Sequence, residues 1–227
     1  MRNFGTFRDA MTGLRFLEWA QPHLLKAEPD ANTVLLGKDA VLSRYGPLFR
    51  EHSNELTEQQ MGEFLDFDNN CHWTGLHRQK SAICRDMPAV RKAISLLMNA
   101  KRGDPALASL FNEADTLVRG FGEGIITPIL FVAFPDDFGV WNSKSQFALE
   151  ILGLWPPMRR GESAGETYYK VNNVLLQTLA FLKKGAMADE MPLDLWTLDY
   201  YWHAVKVMST DGRLEILKTD FASGNVC

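Results

Sequence analysis

Three glycines, Gly120, Gly122 and Gly124, interrupt the apolar run LVRGFGEGIITPILF at residues 117–131. Glycine has no Cβ and takes positive φ without strain, so a turn here brings bare backbone to the surface. N–H groups exposed at the start of the following helix, aided by its dipole, can hold a phosphate. Phe121, between the first two glycines, would plug such a turn into the core. The spacing therefore points to two helices joined by a Gly-Phe-Gly hairpin that a nucleic-acid backbone can approach closely.

Other groups could do chemistry beside it. The loop PDDFGVWN holds Asp136, Asp137, Trp141 and Asn142, the last lying 22 residues after Gly120. A carboxylate can offset positive charge developing on a sugar, and an amide can position water. Asn is equally among the best N-cap residues, with Ser143 and Gln146 marking a helix start, and PDD is a common turn. The polar loop DNNCHWTGLHRQK at 68–80 mixes Asn70, His72 and Trp73 with Arg78 and Lys80. Those types suit a base pocket or a wedge into a base stack; the alternative is a surface loop with Trp73 tucked inward. Asp199 stands among Trp196, Tyr200, Tyr201 and Trp202, a set that either packs the last helix or walls an extruded base.

The stretch LVRGFGEGIITPILF...FPDDFGVWNSKSQFALEILGL resembles the core of the helix-hairpin-helix DNA glycosylase superfamily. There a glycine hairpin is followed by an apolar helix, a loop, and an Asp that opens a helix ending in Leu-Gly. In this chain Gly120 matches the first hairpin glycine, Asn142 falls on the Asp position, and FALEILGL matches the last helix. The match covers about 40 residues, roughly a fifth of the chain. The hairpin lysine of bifunctional members falls on Gly124, so the resemblance implies a monofunctional enzyme without Schiff-base chemistry. It implies that Gly120, Gly122 and Gly124 hold a phosphate of double-stranded DNA. Asn142, helped by Asp137 or Asp136, would direct water to the sugar, and Asn70, His72, Trp73, Trp141 and Asp199 would form the base pocket. The substrate would be a modified or damaged base, such as a hypermodified base of phage DNA, which would suit anti-phage defence. Thr127-Pro128 reads as an N-cap and first helical residue, which would lengthen the hairpin. Two other functions remain open: a hairpin module that grips DNA without chemistry, and a protein-interaction scaffold.

Other constellations carry less weight. Cys71, His72, His77 and Cys84 lack the C-x2-C or H-x3-H spacing of a zinc knuckle, so no metal is expected. Glu63, Asp66 and Asp68 resemble a nuclease acid cluster but read as a solvated helix end. No P-loop, dinucleotide fingerprint or Ser-His-Asp order is visible, so no cofactor is expected.

The elements that must position these groups read as nearly all helix. Phe7, Met11, Leu14 and Leu17 recur at helical spacing, and EPDANT at 28–33 breaks the pattern. Residues 39–50 look helical. Thr57 and Gln60 form a capping-box pattern, and Asp86 with Pro88 opens another helix. Leu107, Leu110, Phe111, Ala114, Leu117 and Val118 mark the helix before the hairpin, and TPILFVAF is apolar all round and hence buried. WPPMRRGESAG at 155–165 is the best candidate link, followed by helices over 166–184 and 192–208 and a tail that reads as a strand or frayed end. The expected fold is all-α, residues 1–227 as one domain of two helical lobes. Its core would be the hairpin and catalytic loop at 105–155, with C-terminal helices at 166–208.

Composition narrows the setting. The 227 residues are 46% hydrophobic and 23% charged, ordinary for a globular protein. The net charge of −4 excludes binding nucleic acid by bulk electrostatics, so any such site must be local. No long apolar run or secretory leader is visible, so no membrane partner is expected. Cys71, Cys84 and Cys227, odd in number and far apart, argue for a reducing cytoplasm. A monomer is expected.

Overall fold

The computed structural model describes residues 6–27, 36–185 and 193–224. The break at 28–33 and Cys227 lie outside them. The described residues form helices and no strand.

The first helices follow their local signals. Asp9 caps α1 (Ala10–Leu24) by accepting the Thr12 N–H at 2.9 Å, and Phe16, Leu17, Ala20 and Leu24 form its buried stripe. α2 (Lys38–His52) buries Val41, Tyr45 and Phe49, one per turn. α3 (Glu58–Leu65) opens on the expected capping box between Thr57 and Gln60. Asp86 caps α4 (Met87–Leu97), with Pro88 in its first turn.

Residues 68–80, which read as a polar loop, are largely helical turns. The chain there runs through one-turn helical pieces, Phe67–Asn70, Leu76–Gln79, Lys80–Ile83 and Cys84–Asp86. Asn70, fully buried, is the reason. Its Nδ2 donates to the carbonyls of Phe64, Asp66 and Trp73, while its Oδ1 accepts the N–H groups of His72 and Trp73. This one side chain satisfies backbone groups that the turn would otherwise bury unpaired.

α5 (Ala106–Leu117) and α6 (Glu123–Ala133) flank the hairpin. α6 begins at Glu123, with Gly122 as its N-cap, so Thr127-Pro128 is not its start. The Thr127 hydroxyl donates to the Glu123 carbonyl at 2.8 Å and accepts the Trp141 N–H at 3.0 Å, which satisfies it inside the helix. From Ile125 to Ala133 every residue of α6 is buried. α7 (Ser143–Ile151), α8 (Ala164–Gly185), α9 (Leu195–Asp211) and α10 (Arg213–Ser223) follow among the described residues. From Ser209 to Ser223 the chain is thus helical rather than a strand or frayed end: Gly212, at φ +88°, lets α10 turn back, and Leu214 and Leu217 dock it.

α5 packs between α4 and α8, α2 against α6, and α7 against α9. The α5–α8 contact brings backbones together. A Cβ on Gly165 would lie 2.1 Å from the Ala108 carbonyl oxygen. Among the described residues, buried apolar side chains from each of α1 to α10 form one contiguous core. Among the described residues no helix is long and apolar enough to cross a membrane.

Candidate nucleic-acid interface

Of the three glycines only Gly120 takes positive φ; Gly122 stands at φ −61° and ψ −172°. α5 ends at Leu117, Val118 is extended, and Gly120 takes φ +88°. Phe121 is fully buried. Gly120 turns close to Gln79, whose Oε1 would lie 2.8 Å from an added Cβ. Gly122 and Gly124, by contrast, face open space: a Cβ added to either would meet no atom within 4 Å. The first turn of α6 therefore presents its N–H groups beside an uncluttered surface.

Next to Gly120 lies a cleft of about 770 Å³ between α5 and the turns at 78–86. Arg78, Arg85 and Arg119 line it, with Gln79, Ser81 and Thr116 as uncharged polar neighbours. All three arginines are exposed, and none forms an ion pair with another described residue. The acid there, Asp86, is engaged as the α4 cap, accepting the Ala89 N–H at 3.1 Å. A larger cleft of about 1050 Å³ adjoins it and shares Ser81 and Arg85, but its charges are mixed. In it Glu63 accepts from Arg44 at 2.6 Å, and Lys80 pairs with Asp66 at 2.6 Å. The lining of the 770 Å³ cleft is therefore net basic, with three arginines against Asp86.

Asn142 caps α7. Its Oδ1 accepts the N–H groups of Lys144 at 2.8 Å and Ser145 at 3.1 Å, and the Ser145 hydroxyl accepts the Asn142 N–H at 2.8 Å. Asp136 is exposed and Asp137 half-buried, in the turn after α6. The Asp137 carbonyl accepts from Asn172 at 2.9 Å. Trp141 is half-buried beside Trp155.

The remaining pocket residues meet in the core. His72 Nε2 lies 2.7 Å from Asp199 Oδ2, which also accepts the Trp73 indole N–H at 3.0 Å. The His72 ring lies over Trp196 at 4.5 Å, and Phe131 of α6 packs on both Trp73 and Trp196. The His72 and Asp199 side chains are only 4% and 7% exposed, so this cluster joins α9 to the 70–73 turn rather than lining an open pocket. The structure brings together His72, Trp73 and Asp199, with Asn70 shaping the turn, and sets Trp141 and Asn142 apart near the start of α6.

Cys71, His72, His77 and Cys84 do not converge; among the described residues no three His, Cys, Asp or Glu side chains group for a metal. Burial pushes the Cys84 thiol up from its ordinary value.

Sequence reasoning missed Arg85, Arg119 and Trp155. Arg119 stands directly before Gly120, and that adjacency is its one local sign. Arg85 reaches the cleft only through the turns at 76–86.

Comparison with known proteins leaves the resemblance where the sequence put it: no protein-family model, curated protein or solved structure matches this chain.

Proposed function

We propose that this chain is a hairpin module that grips the phosphate backbone of DNA. The observation that carries this reading is the set of three arginines, Arg78, Arg85 and Arg119, without ion-pair partners among the described residues, around the positive-φ Gly120. Guanidinium forks suit phosphate oxygens, and the open backbone at Gly122 and Gly124 lets a strand come close. Base excision, which the family resemblance implies, would need a group that offsets positive charge on the sugar. Here an amide stands at the family's Asp position, and its oxygen already serves two N–H groups. Binding without base removal is therefore the reading adopted.

The test is fluorescence anisotropy of labelled DNA with the wild type, Gly122→Ser and Gly122→Asp. Both variants keep an N-cap, but the second adds a negative charge where phosphate would sit. Retained binding with Ser and loss with Asp support the site. Equal binding by both would sink it. Alkali-induced strand breaks after incubation with base-modified DNA would restore base excision.

A further inference from the structure

Trp141 and Trp155 lie with ring centroids 6.3 Å apart and planes inclined by 49°. Both are half-buried and pack on the core. Each is held by its backbone. The Trp141 N–H donates to Thr127 Oγ1 at 3.0 Å, and the Trp155 N–H donates to the Leu149 carbonyl at 3.1 Å. Thr127 lies one turn into α6, and Glu123, whose carbonyl its hydroxyl reaches, directly follows the hairpin. One turn rises about 5.4 Å, so Trp141 is fixed about that distance along α6 from the hairpin glycines. The loop that carries Trp155 goes on to the exposed Arg159 and Arg160.

We infer that the DNA this module binds is single-stranded, with an unpaired base stacked on the Trp141–Trp155 pair; the inference rests on the backbone-gripping role proposed above. A duplex keeps its base faces inside the stack, so half-buried indoles gain nothing from it. An unpaired base offers a full face, and a charged track beside aromatic platforms is how sequence-tolerant single-strand sites are built. The arginine cleft reaches Gly120, just before α6, and the Trp141 backbone is tied to Thr127, one turn into the same helix. Gly122 and Gly124, between Gly120 and Thr127 in the chain, carry no side chain, and a Cβ added to either would meet nothing within 4 Å. The 49° inclination leaves no parallel slot between the rings, so the base stacks on an outer face of one indole and meets the edge of the other.

The experiment measures anisotropy of a labelled twenty-residue oligothymidine and of a duplex of equal length. The proteins are the wild type, Trp141→Ala, Trp155→Ala and Trp141→Phe, each checked for fold by circular dichroism. The single strand should bind about tenfold tighter than the duplex. Each alanine variant should lose about tenfold on the single strand and little on the duplex, and phenylalanine should restore most of the loss. Duplex binding equal to or tighter than single-strand binding overturns the inference and leaves the backbone-gripping role standing. So do folded alanine variants that lose nothing. Binding of neither probe fails the role itself. Should an alanine variant unfold, tryptophan quenching of the wild type at saturating oligothymidine decides: quenching supports stacking, and its absence overturns it.

Discussion

His72 Nε2 and Asp199 Oδ2 meet at 2.7 Å in the core, and the same oxygen takes the Trp73 indole N–H, so α9 is clasped to a turn 126 residues earlier. Removing the carboxylate would leave two buried donors unpaired. Asp199→Ala is expected to cost about 3 kcal/mol. Asp199→Asn, which can still accept, should cost less. Urea unfolding at neutral pH measures both. An unchanged midpoint for the alanine variant would mean that the clasp contributes nothing.

Asn142 and Ser145 form a reciprocal cap at the start of α7. Asn142→Ala should therefore destabilise by about 1 kcal/mol, while Asn142→Asp should cost little, because Asp caps as well as Asn. Neither should change oligonucleotide affinity by more than a factor of about two if the side chain is only a cap. Thermal melts and anisotropy on the same preparations separate the roles. A folded alanine variant that loses binding or base-removal activity would assign Asn142 to the site.

The difference between what was legible and what was not follows the range of the interaction. The Thr57–Gln60 box and the Asp86 cap are bonds between residues three apart, so their spacing in the sequence is their mechanism. The turn at Gly120 was visible because positive φ is a property of the single residue. Thr127-Pro128 misled because its local signal was overridden: the hydroxyl is satisfied by Glu123 and by Trp141, 14 residues away. Asn70 read as a base-contacting amide, and only the fold shows its amide fully engaged by backbone. The arginine cleft joins α5 to the turns at 78–86, and no periodicity in one segment reports on such a meeting.

Acid should weaken the protein through its caps. The Thr12 backbone N–H beside Asp9 and the Ser163 backbone N–H beside Glu166 hold both carboxyls below their ordinary range. A folded pKa below the unfolded one gives stability that is present above the ordinary carboxyl value and lost as pH falls through the folded pKa. The melting temperature should thus drop below about pH 4. The Asp9→Asn, Glu166→Gln double variant should show a shallower fall there. Parallel curves for the two proteins would rule out these carboxylates as the cause.

Cys84 and Cys71 should differ in reactivity. Cys84 is 9% exposed, at the wall of the 1050 Å³ cleft, and burial raises its thiol pKa, so its thiolate fraction is low. Cys71 is half-buried on the turn at 70–73. Iodoacetamide at about pH 8 should label Cys71 well before Cys84, and urea should abolish the difference. Peptide mass mapping after timed quenching reads both sites. Equal native rates would mean that the Cys84 environment opens readily.

Salt dependence tests the arginine cleft most directly, because the chain as a whole carries net charge −4 and gives no general attraction for DNA. Affinity must then come from a few local contacts, and each phosphate neutralised releases counterions. Three arginines, Arg78, Arg85 and Arg119, predict a log–log slope of affinity against salt of about −2 on a single strand. Arg85→Ala and Arg119→Ala should each make the slope shallower by about 0.7 and weaken binding at low salt most. Arg119→Lys should keep the slope, since the charge remains, but lose affinity with the bidentate fork. Stability should hardly change, because these side chains are exposed and make no ion pair among the described residues. A wild-type slope near zero, or alanine variants with the wild-type slope, would place the phosphate contacts elsewhere on the molecule.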